Sequence, residues 1–269
     1  MDEIKLRDLS AANVEDLCRI CVPIAKRDDP AYVTGMELKR RWALDMLQKW
    51  GACAKLAYIG SAAVGLIQYE PIPEERVIYI HCLYVPEQEY WRKGIAKRLL
   101  ASLVEEMKAP QAWFGARPAR ALVTKTFSGE KPGQYPARRF FVGMGFQQVG
   151  EDPNFLYAPL EQGFTYQPTA KKAVEYVPQA EDRGGATIIY GPSFCPFAYV
   201  FLAKAAQTIQ EVAPGLSVRW IDRSKEPEEI KKRGNFEGCV VNARPIRSFV
   251  LDKESFQKEV EEALLNGGL

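Results

Sequence analysis

The stretch RVIYIHCLYVPEQEYWRKGIAKRLLASLVEEM, residues 76–107, reads as a strand, a basic glycine-containing turn and an amphipathic helix. Val77, Ile78, Tyr79, Ile80, Leu83, Tyr84 and Val85 form a nearly unbroken apolar run, as expected of a strand buried on both faces. Ile95, Leu99, Leu100, Leu103, Val104 and Met107 then recur at helical spacing, which predicts a single buried stripe. Between the two lies Trp91-Arg92-Lys93-Gly94-Ile95-Ala96-Lys97-Arg98, with four basic side chains. Gly94 and the small Ala96 let a ligand approach the backbone, and the free N–H groups at the helix start point toward it. A pyrophosphate suits such a turn. Taken alone, the eight residues also fit an ordinary surface helix start.

The flanking sequence narrows the reading. Ile4–Leu9 predicts a first strand, and Val14, Leu17, Cys18 and Cys21 share one face of a following helix. A second helical segment spans about residues 36–49. It precedes a hairpin of Ala54–Ile59 and Ala63–Tyr69 with Gly60-Ser61 as its turn. Beyond the long helix, Ala121–Thr126 is a further strand. Pro136 to Phe146 reads as a short helix that starts at proline and ends in Gly145-Phe146.

This β-α-α-β-β-β-α-β-α-β order, over about residues 1–160, resembles the GNAT (GCN5-related N-acetyltransferase) superfamily. Its acetyl-CoA motif, Gln/Arg-x-x-Gly-x-Gly/Ala, is similar to Trp91-x-x-Gly94-x-Ala96, with tryptophan in place of the opening polar residue. The resemblance implies acetyl-CoA as co-substrate. Pantetheine would lie along Leu83, Tyr84 and Val85, and pyrophosphate at Arg92, Lys93, Gly94, Ile95, Ala96 and Lys97. It also implies direct attack by a primary amine of a small molecule or peptide, which needs a base for the amine and a proton donor for the thiolate.

His81, the single histidine, lies on the same strand as the pantetheine positions and has a side chain suited to proton removal near neutrality. A strand histidine is also a common hydrogen-bonded core residue, and Glu70 is the alternative base, acting through water. The family's usual donor tyrosine falls on Phe141, which cannot donate. Tyr135 or water is left for that role. The vacancy also admits a degenerate acetyl-CoA or CoA-binding sensor or scaffold that uses its second domain for partner binding. Tyr32, Trp42, Tyr135 and Phe141 are the candidate acceptor-pocket residues, with the Ser128–Tyr135 loop as a possible wall.

Composition fits an enzyme able to bury one large core or two smaller ones: 269 residues, 47% hydrophobic and 26% charged. A formal net charge of +2 implies no general affinity for nucleic acid or membrane. The N-terminal residues lack signal-peptide character and no apolar run reaches membrane-spanning length, so a cytoplasmic location is expected. No metal site is expected. Cys18 and Cys21 have a formal CxxC spacing but fall within a predicted helix, where core packing is the expected role.

Residues 161–186 are rich in turn formers, and their aromatics suggest a linker packed on the first domain. A smaller unit, 187–269, follows: strand Thr187–Tyr190, a helix from Pro196 to about Val212, strand Leu216–Ile221 and a short helix Pro227–Lys232. A hairpin of Cys239–Asn242 and Ile246–Leu251 around Ala243-Arg244-Pro245 comes next, then helix Lys253–Leu265. The β-α-β-α-β-β-α order resembles the thioredoxin-like fold, and the pairing of the two units resembles YoaP-like acetyltransferases. The expected fold class is therefore α/β (α+β), with two domains. Cys195 sits where thioredoxin-like enzymes hold their nucleophile, but Ala198 fills the resolving position and Glu237 the usual proline position. Disulfide cycling is not expected. Cys195 is kept as a possible thiol site.

Overall fold

The computed structural model describes residues 3–127, 135–169 and 174–265. Of the expected Ser128–Tyr135 wall, residues 128–134 lie outside them. These residues form two compact units, one of residues 1–21 and 43–170 and the other of residues 22–42 and 171–269. Among the described residues no helix is long and apolar enough to cross a membrane.

The first unit is a mixed α/β structure around a seven-stranded sheet in the order β1-β2-β3-β4-β5-β7-β6. Its strands are β1 (Ile4–Asp8), β2 (Ala54–Ile59), β3 (Ala62–Ile72), β4 (Val77–Tyr84), β5 (Ala121–Lys125), β6 (Gln147–Val149) and β7 (Asp152–Pro159). Among its described strands only β4 and β5 pair in parallel. Their crossover is the helix α3 (Ile95–Lys108), as parallel neighbours require. The β2–β3 hairpin turns at Gly60, whose φ of 59° suits a two-residue loop.

Helix α3 buries Ile95, Leu99, Leu100, Leu103 and Met107 on one face of this sheet, each worth about 1.5–3 kcal/mol by removal from water. The helix can approach because β3 carries Gly65. A Cβ there would stand 2.6 Å from Cγ2 of Ile95. The opposite face, around Val77, Val123 and Tyr157, is covered by residues 164–169. Tyr166 donates to Glu75 at 2.6 Å, and the Arg120 guanidinium lies 4.0 Å from the centre of the Phe164 ring. Helix α1 (Val14–Arg19) buries Val14, Leu17 and Cys18.

Helix α2 runs from Pro30 to Trp50, starting earlier than the expected residue 36. Asp29 accepts from the N–H of Ala31 at 3.0 Å and Pro30 sets the first turn, so the helix begins there despite Thr34 and Gly35. Pro30–Trp42 groups with the second unit. Gly35 is required in it, since a Cβ would meet the Pro196 carbonyl oxygen at 2.2 Å.

The second unit holds a four-stranded sheet in the order β11-β10-β8-β9, built from β8 (Ala186–Tyr190), β9 (Val218–Asp222), β10 (Gly238–Val241) and β11 (Arg244–Ile246). β8 and β9 are parallel and the other pairings antiparallel. Helices α5 (Phe197–Val212) and α7 (Lys253–Leu265) cover one face through Ile209, Phe256 and Val260, while α6 (Pro227–Lys232) covers the other through Ile230. Ile188 and Ile189 consequently enter different clusters. The β10–β11 hairpin corrects the sequence expectation. Its turn is Asn242-Ala243, both at positive φ, and Arg244 and Pro245 already belong to the strand. Proline is tolerated because β11 is an edge.

The expected linker also divides. Residues 164–169 pack in the first unit, whereas Tyr176 stacks edge-on with Phe236 in the second. Asp182 is buried there with Arg233, accepting from its Nε at 2.7 Å, from Tyr176 at 2.6 Å and from Thr187 at 2.8 Å. Burial alone would raise the Asp182 carboxyl, but the bonds from Arg233, Tyr176 and Thr187 outweigh it and hold it below the usual range. Its folded value is depressed, so its stabilisation is present above the unfolded carboxylate value and fades as pH falls through the folded one. Asp182→Ala is expected to destabilise the second unit by about 2–3 kcal/mol, because the buried Arg233 loses both of its bonds to that carboxylate and keeps only Glu229, at 2.9 Å. Hydrogen exchange in β8 and β9 checks this, and unchanged protection would contradict it.

Candidate active site

The site begins with a register irregularity. Tyr69 of β3 faces Ile80 but the preceding Gln68 faces Cys82, so His81 is an extra residue on β4. Such a bulge bends its strand. On the other side, pairing with β5 stops at Ile80 opposite Thr124, where Thr124 Oγ1 donates to the Ile80 carbonyl at 3.0 Å. β4 continues to Tyr84 beyond that last pair, and the two parallel strands open into a cleft.

At the end of β4, the Trp91 indole N–H donates to the Val85 carbonyl at 2.8 Å. The tryptophan that departs from the motif pattern thus ties the turn to the strand. Arg92 and Gly94 both have positive φ, 60° and 79°. Gly94 is the N-cap of α3 and supplies no side-chain cap. The N–H groups of Ile95, Ala96 and Lys97 stand ahead of the first intrahelical bond, from Arg98 N to Gly94 O at 2.9 Å. A Cβ on Gly94 would meet nothing within 4 Å, so the space above the turn is open.

A cavity of about 460 Å³ joins these parts. Every residue expected to hold acetyl-CoA lines it except Lys93, whose ammonium lies 5.3 Å from the Tyr90 ring centre. Tyr90, Trp91, Tyr135 and Phe141 complete much of the wall. The dimensions and the donors at the helix start suit an extended thioester ligand carrying phosphates.

A second cavity, about 340 Å³, shares Leu83, Tyr135, Pro136, Ala137 and Phe141 with the first. His81 lines it, as do Lys125, Thr126, Arg138 and Asn154. His81 Nε2 lies 3.2 Å from Glu70 Oε2, so the two candidate bases form one pair. The Tyr79 ring is 5.1 Å from the imidazole. Phe141, at the end of α4 (Ala137–Gly143), is buried against Phe146, with ring centres 4.9 Å apart. Tyr135 is the tyrosine common to both cavity walls.

Tyr32 and Trp42 line neither cavity. They meet Phe197 and Phe194 edge-on within the second unit. Cys195 is half-buried in the turn before α5, its N–H donating to Ser193 Oγ at 3.3 Å. Cys239 lies buried in β10, and burial pushes its thiol up to about 12. Lys125, Arg138 and Asn154 were not anticipated as site residues. They sit at the end of β5, at the start of α4 and in β7, and no motif marks them.

Residues 23–146 match the family model described as the acetyltransferase (GNAT) family, which supports a GNAT domain over that stretch. Among solved structures, an N-acetyltransferase from Thermoplasma acidophilum in complex with coenzyme A is 19% identical, covering 58% of this chain and 99% of its own at a TM-score of 0.43. A GNAT acetyltransferase from Brucella melitensis in complex with acetyl-CoA is 14% identical, covering 64% and 98% at 0.41. One from Staphylococcus aureus is 17% identical, covering 59% and 100% at 0.43. No curated protein matches the chain.

Proposed function

We propose that the protein is an acetyl-CoA-dependent N-acetyltransferase that moves an acetyl group to a primary amine by direct attack. The observation that carries this reading is that two cavities share the wall formed by Leu83, Tyr135, Pro136, Ala137 and Phe141. The uncapped start of α3 and the open side of β4 meet one of them, and the His81–Glu70 pair meets the other. Acetyl-CoA, as co-substrate, supplies the activated acyl group as a thioester.

Leu83, Tyr84 and Val85 present strand backbone to the pantetheine arm, and the N–H groups of Ile95–Lys97 face the pyrophosphate, with Arg92 and Lys97 adding charge. His81, with Nε2 beside the Glu70 carboxyl, is assigned to take the amine proton. Glu70 is then a positioning residue, not the base. Tyr135 is assigned the proton for the leaving sulfur, the role that Phe141 cannot fill. Incubation with acetyl-CoA and a panel of amines tests the reading, with free CoA and acetylated amine as products. Tight CoA binding without turnover would instead favour the sensor.

The second unit is proposed to be thioredoxin-like without disulfide cycling. Its β-α-β-α-β-β-α order and β11-β10-β8-β9 sheet support the fold. Ala198 occupies the resolving position and Glu237 pairs with Arg223. Gly35 of α2 abuts Pro196, next to Cys195. Cys195→Ser should retain acetyl transfer, within about twofold of the wild type, since a thiol outside the reaction path contributes nothing to it. Reduction of a model disulfide that depends on Cys195 would overturn this part.

A further inference from the structure

The second cavity has a chemical bias that the amine-acetylating reading does not by itself explain. A pocket meant for a polycation or a lysine-rich peptide is expected to carry carboxylates. Among the described residues that line this one none is Asp or Glu, whereas His81, Lys125 and Arg138 are all present. Glu70, 3.2 Å from His81 Nε2, is not among the described residues that line it. Lys125 is already neutralised by Asp152 at 3.0 Å.

Arg138 is different. Its Nε donates to the Pro153 carbonyl at 2.8 Å, and the residue lines the cavity. Among the described residues its Nη atoms have no hydrogen-bond partner and the side chain has no carboxylate. Asn154 lines the same cavity, with the Thr126 hydroxyl within reach of both its backbone and its side-chain oxygen, at 3.2 and 3.1 Å, and its amide nitrogen supplies N–H donors. A guanidinium anchored at one nitrogen, with its far edge open, presents a two-pronged donor that matches a carboxylate.

We propose that the acceptor is an amino-carboxylate, a small amine that also bears an acid group, with the carboxylate held at Arg138 and Asn154 while the amine faces His81. The proposal rests on the acetyl-transfer reading. The chemistry is unchanged by it: the N–C bond forms, the C–S bond breaks, and the amine proton leaves through His81. What the acid group adds is orientation, with one end of the molecule fixed so that the other meets the base.

The test compares matched acceptors: glycine, β-alanine, γ-aminobutyrate and phenylalanine, each against its own amide, with wild type and Arg138→Gln. At least one acid is expected to have a KM roughly 10- to 100-fold below that of its amide, the range of a charge-assisted pair. In Arg138→Gln that ratio should fall toward one, and Arg138→Lys should restore only part of it. Acetyl-CoA titration of each variant reports folding. Should a variant fail to fold, the wild-type ratio still decides. Equal use of acids and amides, or a preference that survives in Arg138→Gln, would overturn the proposal while leaving acetyl transfer intact. No turnover of any amine by protein that binds acetyl-CoA would remove both.

Discussion

His81→Ala is expected to lower kcat by about 10²–10⁴-fold, the usual contribution of a positioned general base. The residue lines the proposed acceptor cavity at the extra position of β4, with Nε2 3.2 Å from Glu70 Oε2. Acetyl-CoA affinity should change little, because His81 does not line the proposed cofactor cavity. Glu70→Gln should give a smaller loss in kcat, as expected of a group that orients the ring without taking the proton. An unchanged kcat in His81→Ala would return the histidine to a packing role beside Tyr79.

Gly94→Trp is the companion test on the cofactor side. Gly94 has φ of 79°, which an L residue adopts only with strain, and the space above its Cα is where a ligand would lie. An indole there blocks the N–H groups of Ile95 and Ala96 from a pyrophosphate. Losing two or three charge-assisted hydrogen bonds implies roughly 4 kcal/mol, or about 10³-fold in affinity. Calorimetry with CoA reads this directly. Equal affinity for wild type and variant would remove the assignment of the cofactor site. Gly94→Ala is milder and separates backbone strain from obstruction.

The strand, turn and helix of residues 77–107 were legible because each depends on a local signal: an apolar run, a glycine among basic residues, and a 3.6-residue stripe. The Gly60-Ser61 hairpin was legible for the same reason. Helix α2 was read too short, since Thr34 and Gly35 resemble an interruption. Contacts on the second unit keep the helix continuous there, and Gly35 is the residue that permits them. The β10–β11 turn was misplaced by the weight given to Pro245, whose missing N–H costs nothing on an edge strand.

The acceptor side was the least legible. The shift that makes His81 an extra residue is a matter of pairing between β3 and β4, and nothing in IYIHCLY announces it. Arg138 was read only as part of the short helix from Pro136 to Phe146. The role proposed for it depends on the Pro153 carbonyl, brought close by β7. Tyr135 and Phe141 line the cavities, whereas Tyr32 and Trp42 group with the second unit, because the first half of α2 packs there.

The most direct measurement is mass spectrometry of the products after purified full-length protein is incubated with acetyl-CoA and an amine panel that includes the amino acids named above. The account predicts an acetyl group on the amine nitrogen of at least one acceptor, one free CoA per acetylated molecule, and loss of both with His81→Ala. Protein that binds CoA with micromolar or better affinity yet leaves every amine unmodified would contradict it.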